Sequence, residues 1–206
     1  NRAIAADGDA ASALAQLSGQ YALALWDRDQ ARLYLARDPL GIKPLYVMNR
    51  PDGHLVFASE ISALSAFGPL QRDEKVQTEY FAHLFVPSPA TGMTDVALLP
   101  PGRVLLWQDG HVTNGQISHP AKQKTPVLGQ ERKQADPVAK LHDAVWQSVG
   151  DALDADCSVG TLVSGGLDSA GVAAMASAIA RERGQLPPVG FVMGFANPVL
   201  DETITA

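Results

Sequence analysis

A run of small and polar residues in the last quarter of the chain has the residue types of an anion-binding loop. It reads Leu162-Val163-Ser164-Gly165-Gly166-Leu167-Asp168-Ser169. Consecutive glycines let the backbone turn tightly and bring its amides close to a ligand. The hydroxyls of Ser164 and Ser169 add polar hydrogens, and the start of a following helix presents unpaired amides with a partial positive charge. The run therefore predicts a cradle for phosphate groups.

Asp168 distinguishes this run from the common nucleotide-binding loop G-x-x-x-x-G-K-[ST]. That loop has Lys after its second glycine, whereas Leu167 follows the second glycine here. A carboxylate does not favour bare phosphate, so we expect Asp168 to contact a Mg²⁺ ion that bridges phosphate oxygens. The alternative is a plain strand-to-helix turn in which Asp168 caps the helix and no ligand binds.

The elements around this loop alternate between helix and strand. Asp136-Pro137 is an N-cap followed by Pro at the first helical position, which predicts a helix from residue 137. Residues 159–163 predict a buried parallel strand, and residues 169–183 predict a helix that ends at Gly184. Residues 189–195 predict the next strand. Helix, strand, glycine loop, helix and strand are typical of the opening of a doubly wound α/β domain.

The first half of the chain has the period of two that is typical of antiparallel strands. Polar turns separate its apolar runs, and Asp109-Gly110 is a strong hairpin signal. Two short helices are expected, one over residues 60–66 capped by Ser59 and one over residues 78–85. The predicted strands cover residues 19–26, 32–37, 44–48, 54–58, 103–107 and 111–112.

Composition excludes several classes of protein. The 206 residues carry 16 basic and 22 acidic side chains, a net charge of −6 without a basic run, so nucleic acid is not an expected partner. No segment approaches the ~20 apolar residues of a membrane span. The single cysteine, Cys157, suits a reducing compartment such as the cytoplasm, and we expect its side chain to be buried. Residues 113–136 are rich in Gly, Gln, Lys, Pro and Ser, which predicts a linker.

Three segments of the first half, together with the loop, resemble one enzyme family. They are Arg37-Asp38-Pro39-Leu40-Gly41-Ile42-Lys43-Pro44-Leu45-Tyr46, Phe57-Ala58-Ser59-Glu60-Ile61 and Leu99-Pro100-Pro101-Gly102. In order and spacing they are similar to the later part of the class II glutamine amidotransferase domain of glutamine-hydrolysing asparagine synthetases. The loop resembles the pyrophosphate-binding loop of the ATP pyrophosphatase superfamily, to which the synthetase domain of that family belongs.

The resemblance implies an α+β domain followed by an α/β domain. Residues 1–112 would be the C-terminal part of an N-terminal nucleophile-type αββα glutaminase, and residues 137–206 the start of a doubly wound, parallel-sheet adenylating domain. The implied activity is that of an ATP-dependent carbon–nitrogen ligase, in which aspartate becomes an aspartyl-adenylate and ammonia from glutamine displaces AMP. The implied partners are ATP, Mg²⁺, aspartate and glutamine, and a homodimer is the assembly to test.

Carried over by position, the resemblance gives an ATP site and no catalytic residue. Asp168 is the expected Mg²⁺ contact, and Met193-Gly194, at the end of the next strand, match backbone that holds adenosine. Asp201-Glu202 resembles an acidic pair that opens the following helix. The expected ATP-binding residues are Leu162, Ser164, Gly165, Gly166, Leu167, Asp168, Ser169, Met193 and Gly194.

The chain also departs from the family pattern. The family's glutaminase nucleophile is an N-terminal cysteine, which Asn1 does not resemble. We therefore expect an internal fragment that alone neither hydrolyses glutamine nor makes asparagine. Two alternatives stay open: a related β-lactam-forming synthetase with a non-functional glutaminase half, and a non-catalytic nucleotide-binding module. Arg37 and Asp38 either act at the boundary between the two halves or form an ion pair that stabilises a turn.

Overall fold

The structure is a computed structural model that describes residues 13–14, 16–116, 136–197, 201 and 203. The chain divides into two compact units, Asn1–Thr125 and Pro126–Ala206. The division falls within residues 113–136, the predicted linker. Residues 113–116 continue a strand instead, and residues 117–135 lie outside the described part of the chain.

The first unit contains two antiparallel sheets. The four-stranded sheet has the order β1-β2-β6-β7 and the three-stranded sheet the order β4-β3-β5. The predicted hairpins β1–β2, β3–β4 and β6–β7 are all formed, and Asp109 and Gly110 between β6 and β7 both have positive φ, as a tight hairpin turn requires. The strands are β1 Ala22–Asp27, β2 Arg32–Arg37, β3 Tyr46–Asn49, β4 Leu55–Ala58, β5 Val96–Leu98, β6 Arg103–Gln108 and β7 His111–Gln116.

The two sheets pack face to face, and each is also covered on its outer side. Leu35 and Leu105 of the four-stranded sheet meet Val47 of the three-stranded sheet between the layers. Leu14, in a helical turn, covers the outer face of the four-stranded sheet, and Leu64 covers the outer face of the other. The layers are therefore helix, sheet, sheet and helix.

The helices of the first unit begin at residues other than those expected. Helix α1 spans Ile61–Leu64 and continues as a 3₁₀ turn, Ser65–Phe67; its N-cap is Glu60, so the predicted cap by Ser59 is wrong. Helix α2 spans Glu74–His83, four residues earlier than predicted. The carboxylate of Asp73 accepts two amides of its first turn at 3.0 and 3.2 Å, and this cap sets the helix start.

The second unit has the predicted order of helix, strand, helix and strand. Its elements are α3 Pro137–Ala152, β8 Gly160–Val163, α4 Leu167–Glu182 and β9 Val189–Val192. Strands β8 and β9 are parallel neighbours, and the two helices pack against each other around Val149, Ala176 and Ile179. Asp136 caps α3 as expected, accepting the Val138 amide at 3.0 Å.

The prediction of a buried parallel strand is wrong for this chain. Leu162 of β8 is 84% exposed, and every residue of β9 is exposed. Helix α4 contacts β8, but the described part of this sheet has only two strands, so it lacks the second layer that buries such strands in complete α/β sheets.

Cys157 is also exposed, in the bend between α3 and β8, and not buried as predicted. None of the described helices combines the length and the apolar character needed to cross a membrane.

Candidate functional site

The glycine-rich loop connects the end of β8 to the start of α4. Strand β8 ends at Val163 and α4 begins at Leu167. Val163 pairs with Val192, so the loop and the residues after β9 lie at the same carboxyl edge of the two strands. That edge is where open α/β sheets bind ligands. The pairing thus places Met193-Gly194 beside the loop.

Glycine is required at one position of the loop for its backbone conformation. Gly165 has a φ of 71°, in the left-handed region that side chains disfavour. Gly166 has extended backbone and is the N-cap of α4, where no side chain accepts a hydrogen bond from the first turn. The loop is therefore a sharp turn that leads directly into a helix without a side-chain N-cap.

Backbone amides are the unpaired groups of this loop. The five consecutive amides from Gly165 to Ser169 donate to no acceptor among the residues that the structure describes. The first amides of any helix lack intrahelical partners, and here the preceding glycines extend the run into the loop. Such a run of amides carries partial positive charge and suits an anion. The sequence pattern indicated the glycines and a helix from residue 169, two residues after the observed start, but it did not indicate the length of this run.

The two serine hydroxyls of the loop are bonded to each other. The Ser164 Oγ and Ser169 Oγ atoms lie 3.0 Å apart, and the Ser164 amide donates to Ser169 Oγ at 3.1 Å. Ser169 Oγ donates in turn to the carbonyl of Gly166 at 3.1 Å. The spacing of the two serines could have indicated these hydrogen bonds. Ser169 is the third residue of the helix, and a side chain at that position can reach back to the N-cap residue.

Asp168 has an exposed side chain in the first turn of α4. Its carboxylate makes no hydrogen bond or ion pair with the described residues, so it does not cap the helix. No cluster of three acidic, histidine or cysteine side chains suited to a metal occurs in the described ranges. The single free carboxylate fits Mg²⁺, because this ion usually binds one or two carboxylates and completes its shell with substrate phosphates and water.

Large apolar side chains surround the loop and are exposed. Leu162, Leu167 and Met193 are 84%, 89% and 72% exposed. Nearby, the Oδ1 of Asp201 accepts the amides of Thr203 at 3.2 Å and Phe195 at 3.5 Å. Hydrogen bonds from the hydroxyl and the amide of Thr203 lower the pKa of the Asp201 carboxyl. Glu202, the expected partner of Asp201, lies outside the described residues.

In the first unit, the segment that follows β2 is held by two buried charged side chains. The guanidinium of Arg37 donates to the carbonyls of Lys43 and Leu99 at 2.8 Å each and to that of Gly41 at 2.6 Å. The carboxylate of Asp38 accepts the amides of Leu40, Ile42 and Lys43 at 3.0–3.1 Å.

These two side chains are 7% and 1% exposed and form no ion pair with each other, so the expectation of an Arg–Asp pair is corrected. Burial alone would raise the pKa of the Asp38 carboxyl, but the amide hydrogen bonds outweigh burial and lower it. Both residues stabilise the turn, each by binding backbone groups.

Comparison with known proteins gives matches in both units. A family model described as a glutamine amidotransferase domain matches residues 2–118, and one described as asparagine synthase matches residues 140–206. The chain is 34% identical to asparagine synthetase [glutamine-hydrolyzing] 1 of Bacillus subtilis, over 80% of this chain and 25% of that protein. It is 31% identical to a putative asparagine synthetase of Mycobacterium bovis, over 79% of this chain and 26% of that protein.

A relative with a different name is also similar. Amidase chyE of Penicillium rubens is 29% identical over 83% of this chain and 25% of the amidase. The chain spans about a quarter of the length of the curated relatives it matches. The amidotransferase model covers more than half of the chain, and the asparagine synthase model matches the residues after it. The chain therefore belongs to the glutamine-hydrolysing asparagine synthetase family.

Proposed function

We propose that the chain is part of an ATP-dependent asparagine synthetase and that its glycine-rich loop binds the phosphates of ATP. The observation that carries the proposal is the run of five amides that have no acceptor in the described part of the chain, at the carboxyl edge of two parallel strands. Oriented amides around a sharp turn favour an anion of high charge. A pyrophosphate group meets that requirement.

In this proposal, the loop amides hold the phosphates that leave when the carboxylate of aspartate becomes an aspartyl-adenylate. Mg²⁺, held through Asp168 and phosphate oxygens, would neutralise charge on the leaving pyrophosphate. The loop amides would also stabilise that charge, and they are already in place before ATP binds. Ammonia would then displace AMP from the activated carboxyl group.

The apolar side chains around the loop support a site for the rest of the nucleotide. Leu162, Leu167 and Met193 expose apolar surface at the same edge as the loop amides. Nucleotide pockets commonly combine an apolar surface for the base with a few polar groups for the phosphates. We infer that Leu162, Met193 and Gly194 lie along the adenosine.

For the first unit we propose part of a glutaminase domain of the N-terminal nucleophile type. The order helix, sheet, sheet, helix agrees with an αββα fold, and the amidotransferase family model matches this unit. Glutamine hydrolysis would need a nucleophile beyond Cys157, the chain's single cysteine, because Cys157 lies in the second unit. We therefore propose that the 206 residues alone release no ammonia and make no asparagine.

The carboxylate substrate separates two candidate functions. Amidase chyE is similar over 83% of the chain and the Bacillus subtilis synthetase over 80%, so similar proteins carry different names. A related amide-forming synthetase that acts on another carboxylate is thus the second candidate function. A reducing, cytoplasmic location and a homodimer complete the proposal.

The test measures binding of Mg²⁺ and inorganic pyrophosphate to the 206-residue chain by titration calorimetry. We expect binding that requires Mg²⁺, and a loss of about tenfold or more in Asp168→Asn, because the neutral amide is a poor magnesium ligand. Asp156→Asn is the matched control, since Asp156 is exposed, precedes the same strand and forms no side-chain hydrogen bond or ion pair with the described residues. Absence of binding, or equal binding in Asp168→Asn, would contradict the proposal.

A further inference from the structure

The end of helix α2 exposes four large apolar side chains, which we call the aromatic surface. Tyr80 is 44% exposed, Phe81 78%, Leu84 78% and Phe85 60%. The rings of Tyr80 and Phe81 meet edge to face with their centroids 5.7 Å apart, and the Leu84 amide donates to the Tyr80 carbonyl at 2.6 Å. Single exposed apolar residues are ordinary, but a group of this size is typical of an interaction site.

An apolar groove adjoins the aromatic surface. Its volume is about 370 Å³, and its apolar lining comes from Val76, Tyr80, Phe81, Val86 and Met93. Arg72 is the charged residue of the lining, and its guanidinium forms no hydrogen bond or ion pair with the described residues. An occupant that fits the groove therefore combines apolar side chains with a carboxylate that accepts from Arg72.

The backbone of Leu84 is an independent reason to expect a partner here. Leu84 has a φ of 60°, in the left-handed region where a helix end favours glycine. A leucine in this region costs backbone energy, and its exposed side chain gains no compensating burial among the described residues. Contact with a partner would give the leucine a role that folding of these residues does not.

The size of the aromatic surface argues against a second copy of the chain as its partner. Four side chains of this kind and exposure present on the order of 500 Å². A stable dimer needs about 800 Å² from each partner. The chain spans about a quarter of the length of its curated relatives, so a longer polypeptide of this family has ample further residues to cover the surface.

We propose that the aromatic surface and its groove dock residues of the longer synthetase polypeptide that lie outside these 206 residues. The docked residues supply apolar side chains for the groove and for Phe81, Leu84 and Phe85, and a carboxylate for Arg72. This inference rests on the proposed function in one respect, that the chain is part of a longer synthetase. It concerns packing within the protein and not the binding of ATP.

The first test compares the 206-residue chain with the longer polypeptide by hydroxyl-radical labelling and mass spectrometry. Phe81, Leu84 and Phe85 should be labelled several-fold more slowly in the longer polypeptide, and equal labelling would overturn the proposal. Sedimentation of the 206-residue chain should be the same with and without Phe81→Ser at every concentration. A dimer that Phe81→Ser dissociates would make a second copy the occupant and would also overturn the proposal.

The second test uses Leu84→Gly, which removes the side chain and relieves the backbone in one change. In the 206-residue chain it should slow hydrogen exchange of the α2 amides about fivefold, because the unfavourable conformation is removed and no contact is lost. In the longer polypeptide it should speed the same exchange, because the contacts of Leu84 are lost. An effect of the same sign in both proteins would contradict a docked Leu84.

Ala31→Gly is the matched control for this change of sign. Ala31 also has a positive φ, 49°, and is exposed between β1 and β2. Its replacement should slow exchange of the β1 and β2 amides in both proteins, and a change of sign at Ala31 as well would overturn the assignment to the aromatic surface. These measurements use no ATP, Mg²⁺ or pyrophosphate, so their failure is distinct from failure of the phosphate site.

Discussion

At the residue scale, Arg37 and Asp38 show how buried charged side chains can stabilise a loop. Each side chain satisfies its charge with backbone groups, three carbonyls for the guanidinium and three amides for the carboxylate. Charged side chains inside a protein are tolerated when they are bonded in this way. The conformation of residues 38–43 therefore depends on both side chains.

Replacing Arg37 by Lys tests this dependence while it keeps the charge. Lys has no planar fork and cannot reach three carbonyls at once, so we expect the free energy of unfolding of the first unit to fall by about 2 kcal/mol. The slowest-exchanging amides of β2 report this free energy. Arg28→Lys is the control, because Arg28 is exposed and should change nothing. An equal, small effect of both substitutions would contradict the role of Arg37.

The lowered pKa of Asp38 predicts a dependence of stability on pH. A carboxyl whose pKa is lower in the folded than in the unfolded chain stabilises the fold above the unfolded value, and this stabilisation is lost as pH falls through the folded value. Asp38→Asn should lower the free energy of unfolding by about 2 kcal/mol near pH 7. The difference from the unchanged chain should shrink below about pH 4.

Urea denaturation at a series of pH values measures this difference. Asp29→Asn is the control, since the Asp29 side chain is exposed and bonds to none of the described residues. A difference between Asp38→Asn and the unchanged chain that stays constant from pH 7 to pH 3 would contradict the role of the ionised carboxylate.

At the scale of elements, α4 has different signals at its two ends. Its start has no side-chain cap among the described residues, whereas its end is closed by Gly184. Gly184 has a φ of 69°, its amide donates to Arg181, and the amide of Gln185 donates to Ala180. This is the glycine-terminated helix end that the sequence predicted.

Two glycine substitutions in and after α4 should have opposite effects on stability. Gly184→Ala places a side chain in the left-handed region and should lower the free energy of unfolding by about 1 kcal/mol. Gly171→Ala, at an interior position with open space around the added carbon, should raise it by about 1 kcal/mol. Urea denaturation of the two variants gives both values. Changes of the same sign would contradict the assignment of Gly184 as the helix end.

The ends of helices and strands were predicted well where one sequence signal is strong, and less well where several sequence signals favour different ends. Strand β2 was predicted over the residues that form it, because it follows a polar turn and Leu33 and Leu35 lie on one face of a strand. Helix α2 was predicted four residues late, since the apolar residues start later than the helix does. The decisive signal was Asp73, whose carboxylate bonds the amides of the first turn.

At the scale of the whole molecule, the two units differ in how much of their strands is buried. The first unit has sheets covered on both sides, so that Tyr34, Leu35, Ala36 and Arg37 are all buried in succession. The second unit leaves both of its strands largely exposed. Since the chain spans about a quarter of its relatives, we propose that other parts of a longer protein cover these strands.

The single cysteine leads to a prediction about the whole chain. Cys157 lies in a bend of the second unit, so we expect the 206 residues to release no ammonia from glutamine. A coupled assay for ammonia measures this directly. Cys157→Ala is the matched control and should give the same background rate of ammonia release. Ammonia release that Cys157→Ala abolishes would identify Cys157 as a nucleophile and contradict the assignment.

The sequence by itself determined the family, and it predicted the two-unit order and the loop as the candidate site, because these depend on local motifs, their order and their spacing. It did not determine burial: the apolar composition of β8 predicted a covered strand, and exposure depends on what the chain brings against it. It also left open what Arg37, Asp38 and the loop hydroxyls bond. Only the tertiary structure decided that, since a hydrogen-bond partner is chosen by distance and direction between atoms, which residue types alone do not specify.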